Sequence, residues 1–196
     1  MSTKENATGM NASKLTKDRQ YEMRFTGSGG QGVILTSIIL AEAAVVDGMI
    51  TTQSQVYGPQ ARGGLCKAET IISDTEIHFT KVRRPDFLLA MNQASLDKYA
   101  PQLSEDALIL TDASLQIPDG IRKEQVVSLP IIETARDKVG KVMTANIVAV
   151  GAINSLLGLF SDESLSEAVR RHIPAGTEEL NMKALEAGKT LTGRAV

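Results

Sequence analysis

Gly27-Ser28-Gly29-Gly30-Gln31-Gly32 stands between an apparent strand, Tyr21 to Thr26, and an apparent helix, Val33 to Val46, and three of its glycines satisfy G-x-G-x-x-G. The first glycine of such a motif permits a tight turn, the second lets backbone N–H groups approach an anion, and the third lets the helix pack on the strand. The helix N-terminus adds unpaired donors and a partial positive charge. The motif also describes a strand that turns into a helix with no ligand. A second cluster, Tyr57-Gly58-Pro59-Gln60-Ala61-Arg62-Gly63-Gly64, follows about one strand–helix unit downstream and sharpens the reading.

A dinucleotide site places a carboxylate at the end of the next strand, roughly 20 residues beyond the glycines, to hold a ribose hydroxyl. Here the second strand, Met49 to Gln55, carries Thr51, Thr52, Gln53 and Ser54 toward its end, and Asp47 lies in the turn that enters it. An NAD or FAD site is therefore disfavoured. A P-loop is excluded, because no Lys-Ser/Thr pair follows the glycines.

Outward from the motif, short apolar runs bounded by Gly, Pro or Asp read as strands at Met49–Ile50, Leu65–Ser73, Phe87–Met91, Ala107–Thr111 and Val126–Leu129. Helical patterns lie between some of them, at Gln93–Tyr99 and Ile131–Val139. The alternation predicts an α/β fold: one Rossmann-like domain with a mostly parallel sheet, helices on both faces and a helical C-terminus. Cys66–Ser73 followed by Glu76–Lys81 has no intervening helix and predicts a β-hairpin turned at Ser73-Asp74-Thr75. Three helices close the chain, Thr144–Leu159, Asp162–His172 and Thr177–Thr190, with Ser161 or Asp162 and Thr177 as caps and Gly188 as a stop. Residues 1–20 are polar and charged and predict a disordered lead-in to a domain over 21–196. Without an apolar core or a cleavage-like site they are expected to be neither a secretory signal nor an anchor.

The length of 196 residues suits one domain without disulfide staples, and a formal charge of −2 gives no field for nucleic acid or an anionic membrane. Val142–Ser161 is uncharged over a bilayer-spanning length, yet Thr144, Asn146, Gly151, Asn154 and Gly158 suit a helix buried by protein, with Asn146, Gly151 and Asn154 close together. Cys66 is the single cysteine, so no internal disulfide forms, and no Cys/His cluster has metal-ligand spacing; a reducing cytoplasm is expected. The helix after the glycines is apolar nearly all round, which predicts cover on most sides, partly from another subunit.

Within the second cluster, Gly58-Pro59 and Gly63-Gly64 frame a loop presenting Tyr57, Gln60 and Arg62. Arg62 is the candidate for gripping phosphate or carboxylate through two parallel hydrogen bonds, against the plainer reading of a solvated arginine. His78 on a presumed strand and His172 at a helix end read as structural, and Cys66 as a buried thiol. No nucleophile elbow, Ser/His/Asp set or paired-carboxylate signature marks a catalytic residue.

Together, Gly27 to Gly32, Asp47-Gly48, Tyr57 to Gly64, Thr144-Ala145-Asn146-Ile147 and Leu180-Asn181-Met182-Lys183-Ala184 make the chain, from about Tyr21 to Lys189, resemble the gamma subunit of 2-oxoacid:ferredoxin oxidoreductases. The tyrosine and the Ala-Arg-Gly-Gly ending resemble the 2-oxoglutarate branch. The chain departs from the family pattern at Val56, where serine is usual, and at Gln60, where glutamate is common.

The resemblance implies a complex that decarboxylates a 2-oxoacid on thiamine diphosphate with magnesium, passes electrons through iron–sulfur clusters to ferredoxin, and transfers the acyl group to coenzyme A. It implies that this chain binds none of those cofactors tightly, that alpha and beta subunits are its partners with a ferredoxin-like delta subunit as a further one, and that the isolated chain is inactive. It also implies a binding turn at Gly27, Gly29, Gly30, Gln31 and Gly32, and a loop of Tyr57, Gly58, Pro59, Arg62 and Gly63 directed at a subunit interface or coenzyme A. Two other readings stay open: a self-sufficient nucleotide-dependent enzyme, and a purely structural scaffold subunit.

Overall fold

β1 (Tyr21–Ser28) runs through the centre of the molecule with Met23 and Phe25 fully buried, and it sets the position of everything else. The computed structural model describes residues 20–57 and 64–193. The other strands are β2 (Ile50–Tyr57), β3 (Leu65–Ser73), β4 (Phe87–Ala90), β5 (Leu108–Asp112) and β6 (Val126–Leu129). They form one sheet in the order β2-β3-β1-β4-β5-β6. The pairs β1–β4, β4–β5 and β5–β6 are parallel, and β1–β3 and β2–β3 are antiparallel.

The hairpin is therefore β2–β3 and not a pairing across Ser73–Thr75. Ile50 faces Ser73 and Tyr57 faces Cys66 over eight residues of each strand. Glu76–Lys81 alternates too briefly to compete with that register, and the chain there is irregular. Farther on, the Glu22 carboxylate accepts the backbone N–H groups of Arg83 (2.7 Å) and Arg84 (2.8 Å), which satisfies donors that a strand would otherwise have paired.

Strand side chains alternate between two cores of unequal size. Phe87, Leu89 and Leu110 join β1 in the larger one, which is covered by α1 (Val33–Val46), α3 (Ile131–Glu133, continued as a π-helical Thr134–Val139), α4 (Ala145–Leu157), α5 (Asp162–His172) and α6 (Glu178–Thr190). Leu88, Ala90 and Ile109 point the other way, to Leu96 of α2 (Gln93–Tyr99). On that second face Arg24, only 8% exposed, is paired with Glu69 at 2.8 Å, and Lys67 reaches the same carboxylate at 2.9 Å. The Arg24 guanidinium also lies over the Tyr99 ring. A buried arginine is tolerable only with such a partner.

α4 is apolar and almost wholly buried, and its cover is protein. Among the described residues, no helix is long and apolar enough to cross a membrane. Gly151 and Gly188 make the α4–α6 crossing unusually close: a Cβ at Gly151 would lie 2.1 Å from the Leu185 carbonyl oxygen, and one at Gly188 2.0 Å from that of Val148. Gly188 is thus a packing residue inside α6, which runs on to Thr190, and not the helix stop that its identity suggested. The trio grouped from sequence is dispersed. Asn154 exchanges two hydrogen bonds of 3.0 Å with the Phe160 backbone, Gly151 faces α6, and Asn146 faces α1.

Candidate functional site

The glycine turn is assembled from inside by Gln31. Its carboxamide oxygen accepts the Ser28 N–H at 2.7 Å, its amide donates to the Met91 carbonyl at 2.8 Å, and its own N–H reaches the Ser28 carbonyl at 3.1 Å. One side chain therefore ties the end of β1 to the end of β4, and both of its polar ends are spent within the chain. Gly27 belongs to β1, where a Cβ would meet Gln31 Oε1 at 2.8 Å and Val33 Cγ1 at 2.9 Å; its bareness lets the helix close on the strand. Gly30 has φ +96° and Gly32 φ +71°, conformations that favour glycine. The Gly29 N–H is taken by the Gly64 carbonyl at 3.2 Å, so the end of the second glycine cluster is bonded directly to the first.

Gly32 caps α1 with no side-chain hydrogen bond and no acidic residue in the first turn. The amides of Val33, Ile34 and Leu35 consequently lack intrahelical acceptors at the positive end of a helix of 14 residues. Two clefts open beside them. The outer one, about 410 Å³, is lined by Ser28, Gly29, Val33, Ile34, Ile38 and Cys66. The inner one, about 290 Å³, lies between the turn, Thr144 and Asn146 at the start of α4, and Leu180 and Asn181 of α6. Gly30, Gly32 and Leu35 are walls of both. At the rim stand two exposed groups, Lys141 and Met143, the latter 71% exposed.

Of the residues singled out from sequence, the structure gathers Gly27, Gly29, Gly30, Gln31 and Gly32 in this turn. Tyr57 ends β2 directly opposite Cys66, which lines the outer cleft. Gly58, Pro59, Arg62 and Gly63 lie outside the described residues. His172 closes α5 and stands 4.0 Å from Glu42, and His78 is exposed on the irregular segment after β3.

The sequence reading assigned no site role to Asn146. It is 6% exposed and lines the inner cleft, and its carboxamide has no hydrogen-bond partner among the described residues, while its backbone carbonyl accepts the Thr36 hydroxyl. A Cβ on Gly32 would lie 2.7 Å from its Nδ2. Its quoted neighbours are otherwise engaged: Thr144 bonds the Lys141 carbonyl at 2.8 Å, and Asn181 bonds Thr177 at 2.9 Å.

A family model for pyruvate ferredoxin/flavodoxin oxidoreductase matches residues 22–191. The chain is 41% identical over 177 residues to the 2-oxoglutarate synthase subunit KorC of Methanothermobacter thermautotrophicus, covering 87% of this chain and 94% of that one. It is similar in structure to the gamma subunit of a keto/oxoacid ferredoxin oxidoreductase from Geobacter sulfurreducens, at 43% identity and a TM-score of 0.79, over 88% of this chain and 96% of that one. It shares its fold with part of the 2-oxoglutarate:ferredoxin oxidoreductase of Magnetococcus marinus, solved with 2-oxoglutarate, coenzyme A and succinyl-CoA bound. There the identity is 18% and the TM-score 0.81, over 92% of this chain and 32% of that one.

Proposed function

Since this chain belongs to the pyruvate ferredoxin/flavodoxin oxidoreductase family, we propose that it is the gamma subunit of a 2-oxoglutarate-type 2-oxoacid:ferredoxin oxidoreductase working in the cytoplasm, and that its glycine turn forms part of the coenzyme A side of the active site. The observation that carries the reading is the undercapped start of α1, flanked by two clefts, in a chain similar to KorC over 94% of the latter's length.

On this reading the chain binds and orients, and its companions do the electron chemistry. Thiamine diphosphate, magnesium and iron–sulfur clusters on the alpha, beta and ferredoxin-like delta subunits supply decarboxylation and electron transfer to ferredoxin. The donor set agrees with that division, because one cysteine cannot ligate a cluster. The free amides of the first turn of α1 meet an anionic group of coenzyme A, and Arg62 adds a two-pronged grip on the same charge. Binding energy gained there positions the thiol for acyl transfer without a catalytic residue from this chain. The exposed Val142 and Met143 give the rim an apolar contact for a neighbouring subunit.

Co-expression with the thiamine-binding subunits tests the reading. The assembled complex is expected to reduce ferredoxin with 2-oxoglutarate in a coenzyme A-dependent reaction, with pyruvate and a branched-chain 2-oxoacid as weaker substrates, and this chain alone is expected to be inactive. Turnover of a 2-oxoacid by the isolated chain, or full coenzyme A-dependent activity of a complex lacking it, overturns the proposal.

A further inference from the structure

We propose that the outer edge of β2 pairs with the same edge of a second copy of this chain, antiparallel about a two-fold axis at Gln53, so that two six-stranded sheets become one. This contact is independent of the coenzyme A reading and uses a different element from the glycine turn.

β2 is the last strand of the sheet on its side, and among the described residues no strand pairs with its outer edge. Exposed edges are ordinarily blunted by charges, proline, bulges or short length. Ile50–Tyr57 has none of these: it is eight residues long, contains no charged residue, proline or glycine, and pairs with β3 in unbroken register. Two large apolar side chains on it, Ile50 and Val56, are 45% and 57% exposed. A long, uncharged edge of this kind joins other strands through its backbone.

The order of side chains selects the partner. Alternation puts Ile50, Thr52, Ser54 and Val56 on one face and Thr51, Gln53 and Gln55 on the other, where the Gln53 amide donates to Ser37 of α1 at 3.0 Å. An antiparallel pair of identical strands in one sheet must be centred on a residue, because directly opposed side chains share a face. Centred on Gln53, Ile50 opposes Val56, Thr52 opposes Ser54, Thr51 opposes Gln55, and Gln53 opposes itself. Apolar then meets apolar and polar meets polar at every position. An axis at Thr52 or Ser54 instead sets Ile50 against Ser54 or Val56 against Thr52. The strand is its own complement, and such an isologous contact closes as a dimer.

A strand pair alone is narrow, and α1 widens it. Around that helix Thr36 reaches α4, Glu42 reaches Arg171 of α5, and Ser37 stands over β2. The arc between Ser37 and Glu42 carries Ile34 and Ile38, half-buried, and Val45, exposed. With Ser37 beside Gln53, the same axis runs past the middle of this arc, so the apolar arcs of two copies face one another over the joined sheets.

Sedimentation of the full chain tests the contact. The parent is expected to be a dimer at micromolar concentration. Ile50→Lys with Val56→Lys opposes like charges twice across the axis and should weaken dimerisation about 100-fold. Ile50→Glu with Val56→Lys sets opposite charges at the same two contacts and should restore the dimer to within about tenfold of the parent. Both positions are exposed, so circular dichroism of every variant should match the parent. In a Cys66→Ser background, Gln53→Cys should cross-link to itself on oxidation, since paired Cα atoms about 4.5–5.5 Å apart permit a disulfide. Thr51→Cys, about 13 Å from its mate along the strand, should not. A monomeric parent, a dimer that survives the paired lysines, or opposite charges that fail to restore what the lysines lose overturns the proposal. So does protection of the β2 amides from hydrogen exchange only when the thiamine-binding subunits are added, which assigns this edge to one of them.

Discussion

The Asp47 carboxylate accepts the hydroxyl of Ser164, a residue 117 positions later in the chain. It also accepts the Ser161 N–H and the Ser161 hydroxyl, each at 2.9 Å. Ser161 caps α5 through the Ser164 N–H at 3.1 Å. One exposed acid at the end of α1 thus fixes the start of a helix that packs across α1. Asp47-Gly48 belongs to the family-like pattern, and this contact gives its acid a physical task.

Burial alone would raise the Asp47 pKa, but the Ser164 hydroxyl and both Ser161 donors outweigh it and hold the group below its ordinary 3.8. A carboxylate with a lowered folded pKa contributes stability that is complete above the unfolded value and disappears as the pH falls through the folded one. Asp47→Asn is expected to cost about 1 kcal/mol or less at pH 7, the exposure of the group reducing its worth. The gap in melting temperature between parent and variant should narrow below pH 4. A gap that does not change with pH refutes the assignment.

Gly151→Ala meets backbone and not a movable side chain, so relief requires α4 and α6 to separate. A loss of about 3 kcal/mol is expected, or roughly 10 °C in melting temperature for a domain of this size. Gly188→Ala should behave alike. Gly176→Ala, where nothing lies within 4 Å, should cost only the strain of its positive φ, about 1–2 kcal/mol.

Gly32→Ala carries both that strain and an overlap with Asn146. In a double-mutant cycle with Asn146→Ala the losses should fall short of additivity by about 1 kcal/mol, since the second change removes the outer atoms of the overlap but keeps its Cβ. Additive losses measured by denaturant unfolding argue against the contact.

Gln31→Ala leaves the Ser28 N–H and the Met91 carbonyl without partners and is expected to cost about 1–3 kcal/mol. Gln31→Glu keeps the acceptor for Ser28 and sets an oxygen against the Met91 carbonyl. Set against that carbonyl the carboxylate has a raised pKa, so its deficit should shrink as the pH falls toward about 4 and protonation restores a donor. Thermal melts across that range decide.

Arg62→Ala in the assembled complex distinguishes a ligand contact from a scaffold contact. The expected result is an intact complex with a severalfold higher KM for coenzyme A. Weaker assembly, read by analytical ultracentrifugation, with no change in KM places the loop at a subunit contact instead.

Much of the fold was legible because its signals are local. Leu65–Ser73 and Val126–Leu129 are bounded by turn residues, and Gln93–Tyr99 and Asp162–His172 follow side-chain caps, Asn92 accepting the Ser95 N–H and Ser161 that of Ser164. The glycine motif was legible for the same reason. What failed depended on a distant partner. The alternation at Ile77 and Phe79 looked like a strand, but register with β2 decided where β3 pairs. Gly188 carried a stop signal, whereas its role is set by Val148 on another helix. Asn146 lay in a quoted motif with nothing to mark its carboxamide as unpaired, and only the fold, by pressing it against Gly32, reveals that.

Twenty residues and a whole further helix separate the end of α4 from the start of α6, and the backbone contact between the two bears on how the protein is born. As the polypeptide emerges from the ribosome, the uncharged α4 segment of 13 residues is complete while α6, which covers one of its sides, is still untranslated. Through that interval its α6-facing side is uncovered apolar surface of the kind that chaperones and neighbouring nascent chains bind. Stop codons introduced within α6 should therefore be felt first as insolubility, before any defect in chemistry can be measured.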